Sequence, residues 1–397
     1  MTGRPRRDCE LAPYVDGFRR RLLSLGYTPG TVTNELAGVG RLGRWLSDRG
    51  QSLGDMGLAD GEAFIADRCR DVRRHSVSRG ELVRLRQYLM DVGAIPPDPP
   101  SPRNDVDELI GSYCGWLLDV RGLSAATVRR YQATARRFLV QRPAGVDLSG
   151  LTSTEVGGFL LAISTEGSVG AAKGHVAEIR SLLRFAFLTG RTPLALAAAV
   201  PPVAGWHDTG IPPQLPASMI EALLDSCSRS TPIGIRDRAI MLLLARLGLR
   251  SIEVARLRLE DLHWRVGEVT IRGKSRRLDR LPLPVDAGEA IADYLVQARQ
   301  QCELRMVFLT CRAPRRPITS GGVGGVVKQA CIRVGVPVVG PHRLRHALAT
   351  GMVANGVALS DVSQVLRHRD LATTAIYAKI DLESLLAVAR PWPGVDR

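Results

Sequence analysis

Paired cysteines, lysine and long apolar runs are what this chain is short of. Its seven cysteines (Cys9, Cys69, Cys114, Cys227, Cys302, Cys311, Cys331) form no CxxC pair, and none has a histidine at zinc-ligand spacing. A zinc site and a redox dithiol are therefore not expected, and the thiols read as reduced side chains of a cytosolic protein. The longest apolar run of the second half, Ala239 to Ala245, falls far below the ~20 residues of a membrane span, and the stretch from Ala195 to Trp206 is broken by Pro201 and Pro202. Met1 to Glu10 is basic but leads into no apolar segment, so no secretion signal is expected. Lysine occurs four times, at Lys173, Lys274, Lys328 and Lys379, against 50 arginines.

What the chain does have is positive charge. Its 54 Lys+Arg outnumber 39 Asp+Glu, a net of +15 over 397 residues. A pI near 10.2 calls for an anionic partner, and for a cytosolic chain nucleic acid leads, although arginine bias also arises from the base composition of coding DNA. With 45% apolar and 23% charged residues the composition is globular, and the length fits two or three domains.

Prolines 96, 97, 99, 100 and 102 make a stiff, extended linker, and Pro201, Pro202, Pro212, Pro213 and Pro216, with Gly205 and Gly210 among them, mark a second. Boundaries are expected to leave modules at 1–95, 104–200 and 215–397. The first two read as copies of one design at an offset of 93 to 97 residues. Tyr14 and Tyr113 each begin a helical pattern; Gly26-Tyr27-Thr28 answers Gly122-Leu123-Ser124, Trp45-Leu46 answers Phe138-Leu139, and Gly93 answers Gly190. Each predicts a bundle of about four helices, with Thr28 or Ser124 capping the second; a shared amphipathic pattern alone would give a similar likeness. After Pro216 helices are expected over Ser218 to Ser226 and Arg236 to Leu247, the latter buried, and from Ser251 as cap through Leu257. A hairpin follows, with Glu268 to Arg272 in one strand and Leu281 and Leu283 in the other, and helices resume after Pro284 and from His342. The fold class is mainly α with a small β-sheet.

Nucleotide sites are excluded by spacing. Gly267 to Gly273 before Lys274-Ser275 encloses five residues where a phosphate loop needs four, and the Gly321 to Gly325 cluster has Val327 where a dinucleotide fingerprint has its third glycine. His342 and Arg345, three apart at the start of a helix, make a phosphate-facing pair, but about one such pair is expected by chance. Order and spacing carry more. Gly248-Leu249-Arg250-Ser251-Ile252-Glu253 precedes Lys274 at the hairpin turn. His342-Arg343-Leu344-Arg345-His346 follows, then Leu366-Arg367-His368 and Thr373-Thr374-Ala375-Ile376-Tyr377. In these boxes, over roughly residues 105 to 390, the chain resembles the tyrosine recombinase family, the phage integrase and Xer-like enzymes. Two departures are Arg367, where the family has Gly, and Arg343, where an acidic residue is frequent; altered local charge, not lost activity, is expected of them.

The resemblance implies a recombinase catalytic domain preceded by two SAM-like helical bundles that bind DNA. It implies strand cleavage and rejoining through a 3′-phosphotyrosine, with Tyr377 as nucleophile and Arg250, Arg345, His342 and His368 around the phosphate. Lys274 would be the general acid, and Glu253 would orient Arg250. Chemically this is coherent, because a diester gaining charge on its oxygens needs fixed cations, and guanidinium forks grip two oxygens each. Taken alone, Tyr377 reads as a packed ring, Arg250 as a helix cap and Lys274 as a solvated turn. His346 and His263 match no catalytic position. No cofactor or metal is expected. Expected partners are double-stranded DNA, a homotetrameric synapse on it, which an apolar helix over Leu382 to Ala389 would help to join, and accessory recombinases, with no membrane and a location at the nucleoid. Integration by a mobile element leads; Xer-like resolution of replicon dimers, type IB topoisomerase-like relaxation and non-catalytic DNA binding are the alternatives.

Overall fold

The computed structural model describes residues 10–69, 77–97, 104–142, 145–165, 169–203, 215–273 and 278–367. It divides into two compact units, one of Met1–Pro96 with Gly210–Arg397 and one of Pro97–Thr209. Among the described residues no helix is long and apolar enough to cross a membrane.

The first 96 residues contribute α1 (Val15–Ser24), α2 (Pro29–Asp48), α3 (Leu58–Cys69) and α4 (Arg79–Asp91) around a core that includes Phe18, Leu22, Leu42 and Phe64. The Pro97–Thr209 unit contributes α5 (Asp105–Asp119), α6 (Ala125–Gln141), α7 (Ser153–Ser164) and α8 (Val169–Leu188) around Tyr113, Leu117, Phe138 and Ile179. The paired positions read from sequence have matching geometry. Thr28 Oγ1 accepts from Thr31 N–H at 3.3 Å and meets Thr31 Oγ1 at 2.9 Å; Ser124 Oγ does the same with Thr127 at the same two distances. Gly93 and Gly190 end α4 and α8 at φ 71° and 69°, a left-handed turn that glycine enters without a Cβ penalty.

Between Leu215 and Arg367 lie α9 (Ala217–Asp225), α10 (Pro232–Arg246), α11 (Ser251–Ala255), β1 (Leu262–His263), β2 (Glu268–Arg272), β3 (Leu278–Pro282), α12 (Val285–Asp293), α13 (Ser320–Val334), α14 (Pro341–Ala354) and α15 (Leu359–Leu366). The π-helical turn Tyr294–Ala298 extends α12. Helix α10 is the central post: Ala239 through Leu244 are buried on every side, as the apolar run demands. It starts four residues before the expected Arg236, because Thr231 Oγ1 accepts from Gly234 N–H and Pro232 occupies the first turn, where no N–H is needed. The strands form an antiparallel sheet in the order β1-β2-β3, with Val269 and Ile271 turned into the core and Glu268 to Arg272 paired with Pro282 to Leu278.

One local expectation is corrected, and two elements not foreseen from the sequence are added. Ser251 does not cap α11; Arg250 holds the cap position, and the Glu253 carboxylate accepts its N–H. The Gly321 to Gly325 cluster is the first turn of α13, where burial of Val323, Val326, Val327 and Ala330 outweighs the poor helix propensity of glycine. A third strand, β1, joins the expected hairpin.

Candidate active site

Segments more than a hundred residues apart meet at the C-terminal end of α10. The chain leaves that helix through Gly248 at φ 56°, where a Cβ would come within 3.0 Å of Leu348 and 3.1 Å of Leu366, so the first box turns under a roof made by α14 and α15. Two residues on, Arg250 begins α11. Its N–H donates to Glu253 Oε2 and its terminal nitrogen to Oε1, both at 2.9 Å. The Arg250 side chain keeps 36% of its surface in solvent, whereas that of Glu253 keeps 3%.

A second arginine closes on the same carboxylate. Arg367 follows α15 with φ 54° and ψ 45°, the one described non-glycine residue at positive φ. This left-handed turn explains why glycine suits the position. The turn sends the side chain inward, 4% exposed, to donate to Glu253 Oε2 at 2.8 Å. Burial opposes the charge on Glu253, but Arg367 and then the hydrogen bonds and charge of Arg250 outweigh it, and the carboxyl group is held below its ordinary value. Arg345 supplies the third tie. It is buried on α14 and donates from one terminal nitrogen to the Gly248 carbonyl and from the other to the Leu366 carbonyl. The Gly248–Glu253, His342–Arg345 and Leu366–Arg367 stretches are thereby laced together through buried charged groups.

His342 stands exposed in the first turn of α14, at the positive end of the helix dipole. Its i+3 neighbour Arg345 is buried. One turn on, His346 is half-buried. Burial, together with the positive fields of His342, Arg343 and Arg345, lowers its pKa, which favours the neutral ring. His263 bonds Thr270 at 2.8 Å between β1 and β2, a place in the sheet. Lys274 lies in sequence between β2 and β3, outside the described residues; the root of that hairpin is pinned by buried Asp261, which accepts from Arg272 at 2.7 and 3.2 Å and from the N–H of Arg258. His368, Tyr377 and the expected helix over Leu382 to Ala389 also lie outside the described residues. In the sequence Arg367 stands out only as a departure from glycine; its contact with Glu253 depends on a backbone turn that no motif spells out.

The fold is mainly helical with a small sheet, and cations cluster where one helix ends and another begins, a chemistry suited to holding an anionic ester. Comparison narrows this. Residues 213–383 match the model of the phage integrase family. The integrase/recombinase y4rA of Sinorhizobium fredii is 37% identical over 392 residues, which span 97% of this chain and 95% of that protein. The tyrosine recombinase XerD of Listeria monocytogenes is 29% identical over 69% of this chain and 95% of its own. Among solved structures, a lambda integrase tetramer bound to a Holliday junction matches with TM-score 0.54 at 16% identity, over 82% of this chain and 93% of that one, which speaks to the fold alone. The chain belongs to the tyrosine recombinase, or phage integrase, family and is thus a site-specific recombination enzyme that breaks and rejoins DNA strands.

Proposed function

We propose that the protein is the recombinase of a mobile element, acting on double-stranded DNA in the cytoplasm, as a tetramer at the moment of exchange. The near full-length likeness to a protein named integrase/recombinase favours this over resolution of replicon dimers, since the XerD relative covers 69% of the chain. In this reading 104–200 and 215–397 each contact the duplex, while 1–95 repeats the design of 104–200 and adds a second contact to DNA or protein.

Arg250, Arg345, His342 and His368 hold the phosphate and neutralise the charge that builds on its oxygens. The Tyr377 oxygen bonds to phosphorus, its proton passing to a neighbouring base. The bond to the 5′-oxygen breaks, and Lys274 protonates that leaving group. The phosphotyrosine conserves the bond energy, and a 5′-hydroxyl from the partner strand reverses the steps, so no external energy source enters. The observation that supports this most is the lacing of the three boxes through Arg345, Glu253 and Arg367.

The test is a nicked duplex from flanking DNA. The wild-type chain should leave a denaturation-resistant complex attached at Tyr377, and Tyr377→Phe should bind with unchanged affinity but form no adduct. An adduct surviving in that variant would remove Tyr377 from its role.

A further inference from the structure

We propose that Arg367 is a positioning residue for strand cleavage: through the shared Glu253 carboxylate it sets the Arg250 guanidinium against the phosphate. Arg367 itself is buried and bonded to Glu253 Oε2, so it acts through another residue and not by touching DNA. Glu253 is also buried, and one of its oxygens meets Arg367 while the other meets the terminal nitrogen of Arg250. With both cations present, the carboxylate is divided: Oε2 is held by Arg367 and the Arg250 N–H, and only Oε1 draws on the Arg250 guanidinium. Without Arg367 both oxygens turn to Arg250, the nearest remaining cation, and draw its fork away from solvent. The backbone points the same way. A non-glycine residue at φ 54° carries a steric penalty that the side chain's contacts must offset; its guanidinium donates to the Val365 carbonyl at 3.2 Å, and the ion pair with buried Glu253 is its charged contact. The inference rests on the recombinase reading above and deepens it, because it ties the turn preceding His368 to the first-arginine box.

The experiment measures adduct formation on the nicked duplex, at saturating protein, for the full chain with Arg367→Gly, Glu253→Gln and both. Glycine is at home in this turn, so Arg367→Gly removes the guanidinium without imposing backbone strain; DNA affinity and thermal unfolding are followed alongside. Arg367→Gly should slow cleavage roughly 10- to 100-fold, as loss of an orienting partner does, with affinity unchanged. The double variant should be no slower than Glu253→Gln alone, because both changes break the same link. Cleavage by Arg367→Gly at the wild-type rate overturns the proposal, and so do independent, multiplying effects in the double variant. If the wild-type chain forms no adduct, the recombinase reading fails and takes this inference with it.

Discussion

Glu253 is the residue on which the described half of the site balances, and its behaviour with pH follows from its two partners. A buried carboxylate between Arg250 and Arg367 is ionised more readily in the folded than in the unfolded chain. Its contribution is fully present above the unfolded value of about 4.3 and is lost as pH falls through the lower folded value. Glu253→Gln leaves two arginines facing a neutral amide and should cost about 3 kcal/mol at pH 7, the low end for a broken buried pair because Arg250 is partly in water. Urea midpoints measured from pH 7 down to 3 should show the gap between wild type and variant closing below about pH 4; a gap constant with pH would mean that the carboxyl group titrates alike in the folded and unfolded chain, so that the two arginines do not favour its charged form. Residue type and spacing let the motif single out Arg250, Glu253, His342 and Arg345, and the structure brings Arg345 to the Gly248–Glu253 stretch that holds the first two. The motif did not give their depths: His342 is exposed and Arg345 buried.

Capping governs how well whole elements could be anticipated. Strong local signals gave the right result: Thr28 and Ser124 were expected to begin helices and do, with the same hydroxyl-to-N–H distance of 3.3 Å. Apolar alternation likewise placed β2, with Val269 and Ile271 facing inward. The failures are elements whose stability comes from tertiary contact. Helix α13 opens with a glycine-rich turn that propensity disfavours, and β1 has two residues, which only pairing to β2 sustains. The cap equivalence gives a direct check. Ser124→Ala removes the acceptor for Thr127 N–H at the start of α6 and should lower stability by about 1 kcal/mol in a chemical melt, and Thr28→Ala should cost α2 a similar amount. A loss at one site and none at the other would separate the two copies energetically, despite their common geometry.

Over the whole molecule the charge is uneven. Residues 215–397 hold 27 Lys+Arg against 17 Asp+Glu, a net of +10 out of +15, so most of the attraction for an anionic polymer comes from the part that carries the three boxes. Arginines at the surface neutralise phosphates by displacing counterions, and this is penalised as salt rises. With ~6 to 10 such contacts the affinity for a duplex should fall about 10³- to 10⁵-fold between 50 and 200 mM salt. The buried groups that tie the three boxes together respond differently. Glu253, Arg345 and Arg367 are buried, and pairs withdrawn from water are screened far less than exposed ones. Binding and chemistry should therefore separate. Filter binding across the salt series should lose affinity steeply, while the single-turnover cleavage rate, measured with enough protein to saturate the duplex at each salt, should change by less than about tenfold. A cleavage rate at saturation that fell in parallel with affinity would mean that Arg250 is held by solvent-exposed charges and not by the buried carboxylate beneath it.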